Sequence, residues 1–94
     1  MQFEWDENKS LKNIRERNLL FEAARLMDFH TAYIEEDTRK DYGERRYVAY
    51  GLIGNRLHVL CFTPITSGIR VISLRKANQR EVKNYEQETQ TFDE

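Results

Sequence analysis

Apolar residues along the chain follow a helical spacing first and a strand-like alternation later. Leu11 and Ile14 lie three positions apart, and Leu20, Ala24 and Met27 follow at intervals of three or four. Such spacing places side chains on one face of a helix. We therefore predict two packed helices, the first with Leu11 and Ile14 on one face and the second with the other three residues as its buried stripe.

Local signals mark where the helices begin and end. Asp6 precedes the first helix, where its carboxylate can accept the free backbone N–H groups of the first turn. Asn18 is the predicted end of that helix, because asparagine tolerates the left-handed conformation that is common at helix C-termini. A short edge strand, FEWD, comes before this helix. The chain closes with a helix, KANQREVKNYE, in which Asn78, Val82 and Tyr85 share one face.

From Thr31 onward the pattern is that of strands joined by turns. Four runs are predicted as strands: TAYIEE, RRYVAYGLI, RLHVLCFT and GIRVISLR. Gly54 and Asn55 form a two-residue hairpin signal between the second and third runs. The predicted order is β-α-α-β-β-β-β-α, an antiparallel meander with its helices on one face. This is a single α+β domain over residues 1–88, followed by a frayed tail over residues 89–94.

The composition excludes several functional classes. One cysteine and two histidines leave no internal disulfide and no zinc-binding spacing. Cys61 lies within the apolar run LHVLCF, so we assign it to core packing. Neither a GxSxG motif nor a cluster of glycines is present to indicate a serine hydrolase or a phosphate-binding loop. An acidic, polar N-terminus and the lack of an apolar run of roughly 20 residues predict a cytoplasmic protein without a signal peptide or a membrane span.

Charge is unevenly distributed along the chain, although the net charge is −1. Residues 39–83 contain ten lysines and arginines against three acids, whereas the rest of the chain contains five against thirteen. A chain polarised in this way can present one positive face to a polyanion. The other interpretation is that these are ordinary solvated surface charges.

Arginine chemistry remains as the main functional possibility. Arginine binds phosphate through two parallel hydrogen bonds and stays charged. Arginines on a sheet could hold RNA and stabilise the charge that develops when a ribose 2′-OH attacks the adjacent phosphate, a reaction that also needs a proton acceptor and a donor. Lys9, His58, Glu44 or a tyrosine could supply those groups. In a regular strand Arg70 and Arg75 point to opposite faces, so they share a face only if the strand bulges or ends between them.

Each of these residues also has a structural interpretation. His58 could be a hydrogen-bonded strand histidine, and Lys9 could be an exposed lysine in a first helical turn. Arg70 could form a salt bridge with Glu22 or Glu81. The residue types by themselves leave these alternatives open.

Four motifs resemble those of the BrnT family of bacterial toxins. They are FEWDENK (3–9) with Asn13, FEAA (21–24), GERR (43–46) and IRVISLRKANQREVKNY (69–85). The resemblance implies a small ribonuclease with a RelE-like α+β fold, the toxin of a type II toxin–antitoxin pair. Such toxins cleave RNA without a metal or another cofactor and inhibit bacterial translation. The implied partner is a BrnA-like antitoxin with a ribbon-helix-helix domain, and operator DNA is contacted only through that antitoxin.

The same resemblance implies a set of site residues. The catalytic set is Arg70, Arg75, Arg45 and Lys9. The RNA-binding set is Arg46, Arg56, Ser73, Lys76 and Arg80. Within the first set, Arg70 and Arg75 act as the clamp on the phosphate and the transition state, Arg45 adds a third cation, and Lys9 is a proton donor or a second phosphate contact. The chain departs from the family pattern at Arg17-Asn18, where the family usually has His-Gly.

Two other functions use the same basic residues. A non-catalytic nucleic-acid binder would hold RNA in a strongly salt-dependent way and leave it intact. A protein-interaction module would offer its positive face to an acidic partner, with tyrosine and phenylalanine side chains as anchors. A test of RNA cleavage separates the enzyme from both alternatives.

Overall fold

The computed structural model describes residues 1–90 as a five-stranded sheet with helices packed on both faces. In chain order the elements are β1 (Gln2–Trp5), α1 (Glu7–Arg17), a 3-10 helix (Phe21–Leu26), β2 (Tyr33–Glu36), β3 (Tyr47–Ile53), β4 (Arg56–Ile65), β5 (Gly68–Lys76) and α2 (Gln79–Thr89). The α+β class is confirmed. The predicted tail, residues 89–94, lies outside the described residues from residue 91 onward.

The sheet is mixed, with the strand order β1-β5-β4-β3-β2. Strands β2 to β5 form the predicted antiparallel meander, and a two-residue turn at Gly54 and Asn55 joins β3 to β4. Strand β1 pairs with β5 in parallel, with Phe3 opposite Ile69. The prediction of a fully antiparallel sheet is therefore wrong at this edge. Only strands joined by tight turns are constrained to run antiparallel, and most of the chain separates β1 from β5.

Apolar residues on both sides of β4 require cover on both faces of the sheet. On one face, Leu60 and Phe62 enter a core shared with the 3-10 helix. On the other, Leu57 and Val59 pack under α2. The helices thus lie on opposite faces, and the prediction of helices on a single face is wrong. The run LHVLCF already contains apolar residues at both alternating sets of positions, which is typical of a strand buried on both sides.

The second predicted helix is a short 3-10 helix. Phe21 and Ala24 are its buried residues, Met27 directly after its end is also buried, and the three repeat every three positions. A 3-10 helix has three residues per turn, so this spacing aligns all three side chains with the core. Leu20, assigned to the buried stripe by an α-helical repeat, is 56% exposed.

Helix α1 has the predicted ends and a different buried face. The Asp6 carboxylate accepts hydrogen bonds from the first turn, and Asn18 has the left-handed conformation, with φ of 57°. Leu11 is nevertheless 47% exposed, whereas Ser10 and Asn13 are buried. The helix lies against the edge of β5, and small polar side chains suit this contact because the edge presents unpaired backbone groups.

Candidate active site

A bulge in β5 determines which side of the sheet its side chains face. Ser73 is opposite Cys61 in the ladder with β4, whereas Val71 is opposite the next residue, Phe62. Ile72 therefore has no opposite residue. An extra residue of this kind reverses the alternation of side chains along a strand.

The reversal places Arg70 and Arg75 on the same side of the sheet. Val71 and Leu74, which also straddle the bulge, are both buried in the core on the opposite side. The sequence required either a bulge or the end of the strand between the two arginines. The structure has the bulge, and the strand does not end there, since β5 continues to Lys76. We call the side that carries Arg70 and Arg75, where α2 does not cover it, the open face.

The two arginines do not reach a common point. Arg70 is opposite Thr63 of β4, and Arg75 is opposite Val59. These partners are four residues apart, which corresponds to roughly 13 Å along the strand. Each arginine thus belongs to its own group of side chains on the open face.

The first group surrounds the carboxylate of Glu44. Arg70 Nη2 donates to Glu44 Oε1 at 2.7 Å, and Arg46 Nε donates to Glu44 Oε2 at 3.1 Å. Arg70 Nη1 also lies 4.0 Å from Glu4 Oε2. The guanidinium carbon of Arg46 sits 4.2 Å from the centre of the Tyr42 ring, which holds it in place by a cation–π contact. We call Glu4, Glu44, Arg46 and Arg70 the Glu44 cluster.

Backbone pairing explains why the Glu44 cluster forms. The Thr63 hydroxyl donates to the backbone carbonyl of Arg45, and Thr63 is itself opposite Arg70. The backbone N–H of Asp37 donates to the carbonyl of Arg46, which continues the β2–β3 ladder one step beyond the strands. The segment before β3 is therefore fixed beside β5, and its side chains meet those of Arg70.

The environment of Glu44 keeps it ionised. The hydrogen bond from Arg46 is the main cause that holds the Glu44 pKa below its ordinary value of 4.5, and the bond from Arg70 acts in the same direction. Desolvation opposes both effects without cancelling them. Glu44 is therefore a carboxylate at neutral pH, available as a hydrogen-bond and proton acceptor.

The second group joins β5 to the start of α2. Arg75 Nη1 and Nη2 donate to the two oxygens of Glu81 at 2.8 and 2.7 Å. Glu81 also accepts from the backbone N–H of Asn78, whose side chain accepts from the Glu81 N–H in return, forming a capping box. Hydrogen bonding to Glu81 raises the pKa of Arg75, and the bond from Arg75 lowers the pKa of Glu81. This pair fixes α2 on the sheet.

A cleft of about 410 Å³ lies on the open face between β2 and α2. Its floor consists of side chains from β3 and β4, among them Val48, Tyr50, Val59 and Cys61. Cys61 is half-buried there and belongs to neither core cluster, so its assignment to core packing is wrong. The cleft and the Glu44 cluster together make the open face a concave polar site next to an apolar floor.

The family is decided by a match over residues 5–81 to the family described as "Ribonuclease toxin, BrnT, of type II toxin-antitoxin system". The protein belongs to the BrnT family. Its target is accordingly RNA, and its partner is an antitoxin. A comparison with curated proteins finds no match.

In this BrnT chain, Lys9 and Ser73 lie at the edge of β5 next to α1. They line a second cavity of about 260 Å³, together with Asn13 and Ile72. The Asn13 side chain donates to the carbonyl of Leu74 at 2.9 Å and so binds the strand edge that β1 leaves free. Lys9 is exposed in the first turn of α1, in agreement with its structural interpretation, and shares this cavity with Ser73.

Other predicted site residues lie apart from the Glu44 cluster. The side chain of Arg45 is 77% exposed, and its Nε lies 4.0 Å from Glu36, away from Arg70. Arg80 is exposed in the first turn of α2. By alternation from Arg75, Lys76 points to the opposite side of the sheet.

Arg56 and His58 have structural contacts. Arg56 Nη2 lies 3.5 Å from the carbonyl oxygen of Ala77. His58 is buried, with Nδ1 2.9 Å from the backbone carbonyl of Arg56. The interpretation of His58 as a hydrogen-bonded strand histidine is confirmed.

The open face is not the uncompensated positive surface that the charge distribution suggested. Arg70 pairs with Glu44 and not with Glu22 or Glu81, while Arg75 is the partner of Glu81. The sequence does not show which carboxylate pairs with which arginine of β5. Glu44 was one of several candidate proton acceptors or donors, and no spacing in the sequence singled it out.

Within residues 1–90, no group of three or more His, Cys, Asp or Glu side chains is arranged to hold a metal ion. Over the same residues, no helix has the length and apolar character needed to cross a membrane.

Proposed function

We propose that this BrnT-family protein is a metal-independent endoribonuclease with Glu44 and Arg70 at its reacting centre. The observation that carries the proposal is the Glu44 carboxylate held between the guanidinium groups of Arg46 and Arg70 on the open face. This arrangement offers a proton acceptor, Glu44, and two cations that are each within hydrogen-bond distance of it. Cleavage by 2′-OH attack needs these groups and a proton donor.

In the proposed reaction, Glu44 accepts the proton of a ribose 2′-OH as the oxygen bonds to the adjacent phosphorus. Arg70 and Arg46 stabilise the negative charge that develops on the non-bridging phosphate oxygens. The bond from phosphorus to the 5′ oxygen breaks, and Lys9 at the edge of β5 gives a proton to that oxygen. The products are a 2′,3′-cyclic phosphate and a 5′-hydroxyl end.

Arg70 has donors to spare for a phosphate despite its contact with Glu44. A guanidinium has five N–H donors, and Arg70 makes one short hydrogen bond, to Glu44. Its side chain is 39% exposed on the open face. Arg75 and Ser73 would hold the neighbouring nucleotides, and Arg45, Arg56, Lys76 and Arg80 would meet RNA or antitoxin farther from the reacting phosphate.

The cellular role follows from the family. We propose that the protein acts in the bacterial cytoplasm, inhibits translation by cutting RNA, and is neutralised by a BrnA-like ribbon-helix-helix antitoxin that alone contacts operator DNA. The toxin unit would be a single domain over residues 1–88 with a variant of the RelE-like fold, in which the antiparallel meander of β2 to β5 is the common element.

The deciding experiment is incubation of the purified protein with RNA in EDTA. We expect fragments that end in a 2′,3′-cyclic phosphate. Glu44→Gln and Arg70→Ala should each lower the cleavage rate by about 100-fold or more, the usual size of an acid–base or transition-state contribution. Arg15→Ala, which removes an equal charge from the exposed side of α1, should cleave at the normal rate.

Two results would overturn the proposal. Intact RNA with salt-sensitive binding would instead support a non-catalytic RNA binder. Full activity of both Glu44→Gln and Arg70→Ala, with normal melting curves, would remove the reacting centre from the Glu44 cluster.

A further inference from the structure

The floor of the cleft on the open face is made from two cross-strand pairs. Val48 is opposite Cys61 and Tyr50 is opposite Val59 in the β3–β4 ladder. Side chains at these positions project together from one face of the sheet and form a platform two residues wide. The cleft volume of about 410 Å³ falls in the range of sites that bind small molecules.

The carboxylates around this platform differ in how fully they are used. Asp37 binds Arg39 through both oxygens and also accepts from the Tyr42 hydroxyl. Glu81 is similarly occupied by Arg75. Both groups are committed to internal contacts.

Glu36, which also lines the cleft, lies 4.0 Å from Arg45 Nε, so Glu35 is the cleft carboxylate without a salt bridge among the described residues 1–90. It lines the cleft, forms no salt bridge there, and accepts one long hydrogen bond of 3.4 Å from the Tyr33 hydroxyl. A carboxylate has about four acceptor positions, so most of its capacity remains available. Glu35 is opposite Val48 in the β2–β3 ladder, which places it beside the platform. After desolvation as the larger cause, its negative charge helps to raise the pKa of Tyr50.

Among the four RNA bases, only guanine presents two neighbouring N–H donors, N1–H and N2–H, on its Watson–Crick edge. A carboxylate accepts both in a paired geometry, whereas each of the other bases offers a carboxylate at least one repelling acceptor. Proteins that read single-stranded RNA combine such edge contacts with stacking on a flat surface. We propose that the cleft binds the guanine base of single-stranded RNA, with the base plane against the platform and Glu35 accepting from N1–H and N2–H. This inference rests on the proposed RNA cleavage.

The position of the cleft favours cleavage directly after the bound guanosine. Val48 of β3 is two residues after Arg46, which corresponds to roughly 7 Å along the chain in extended conformation. One nucleotide can therefore place its base in the cleft and its 2′-OH and 3′ phosphate at the Glu44 cluster.

The test uses four DNA oligonucleotides that each contain one ribonucleotide, which is G, A, C or U, so that only one bond is open to 2′-OH attack. We expect the G substrate to be cleaved at least about tenfold faster than the others, in line with the discrimination that a two-bond base contact provides. Glu35→Gln should lose most of that preference, because its rate on the G substrate falls towards the rates on the other three. Glu86→Gln, an equal charge change at an exposed residue of α2 outside the cleft, should keep the preference.

A binding measurement separates this inference from the proposed cleavage. By titration calorimetry, 3′-GMP should bind the unmodified protein more tightly than 3′-AMP, and Glu35→Gln should remove the difference. Equal cleavage of all four substrates, or a G preference that survives in Glu35→Gln, would overturn the guanine assignment. If none of the four is cleaved and long RNA is also left intact, the ribonuclease proposal fails, and the nucleotide titration alone decides whether the cleft is a guanine site.

Discussion

Arg75 binds both carboxylate oxygens of Glu81, the residue that also completes the cap of α2. Arg70, on the same side of the sheet, has a single short bond to Glu44 in a loop. The two arginines were grouped as one clamp by sequence. Their contacts give Arg75 a structural role that Arg70 lacks.

Loss of Arg75 should therefore destabilise the fold more than loss of Arg70. Arg75→Ala leaves Glu81 without its paired donor and frees the start of α2, and we expect a loss of about 1–3 kcal/mol in the free energy of unfolding. Arg70→Ala should cost less than about 1 kcal/mol, as is usual for exposed ion pairs. Urea denaturation of the two variants measures the difference, and equal losses would contradict the separate roles.

Stability should fall in acid as the paired carboxylates take up protons. Arginine bonds lower the pKa values of Glu44 and Glu81 in the folded protein. The unfolded chain therefore binds protons more readily, so stability is full above the ordinary glutamate pKa of 4.5 and is lost as the pH drops below it. Urea denaturation from about pH 6 to about pH 3 tests this. Glu81→Gln should show a shallower loss, and an unchanged pH dependence would contradict the role of this pair.

Gly68 should not tolerate a larger residue. A Cβ atom at this position would collide with the backbone of Gln2, which pairs with Gly68 across the β1–β5 ladder. We expect Gly68→Ala to separate β1 from the sheet and to lower the melting temperature clearly, with faster amide exchange in β1 as the specific sign. Gly43→Asn is the control, because a side chain there meets open space and asparagine tolerates the positive φ of 74°.

Asn18 should accept glycine but not valine. Its φ of 57° is left-handed, a conformation that costs a β-branched residue roughly 1–2 kcal/mol. Asn18→Gly places a residue without a Cβ in this left-handed position and should unfold at the same temperature as the parent or above it. Asn18→Val should melt at a lower temperature. An unchanged melting temperature would contradict this prediction, because the turn would then have changed its conformation to accommodate valine.

Sequence patterns predicted the elements that depend on local chemistry. The Asp6 and Asn18 helix ends, the Gly54–Asn55 hairpin and the antiparallel meander all follow from residue preferences that act over a few positions. The parallel pairing of β1 and the position of α2 on the second face depend on contacts between distant parts of the chain, which no local pattern encodes.

The arrangement of the candidate site residues could not be predicted from the sequence. The placement of Arg70 and Arg75 on one side depends on the unpaired Ile72, and nothing in that residue type announces a bulge. The partner of each arginine could not be predicted either. Glu44 lies in a loop whose backbone accepts a hydrogen bond from Thr63 of β4, and this contact brings its carboxylate to Arg70 of β5. The cleft carboxylate Glu35 had no signal in the sequence, because what distinguishes it is that it forms no salt bridge within residues 1–90.

The pairing of each open-face arginine with an acid has a consequence for how the toxin finds its target. Long-range attraction to nucleic acid grows with uncompensated positive charge, and so does the non-specific affinity that traps proteins on any RNA or DNA they meet. Arg46 and Arg70 share the carboxylate of Glu44 and Arg75 is paired with Glu81, so these three arginines add less to that non-specific affinity than unpaired arginines would. Stable binding then depends on the contacts that RNA makes within the site itself. A toxin of this kind can bind and release many transcripts before it cleaves one.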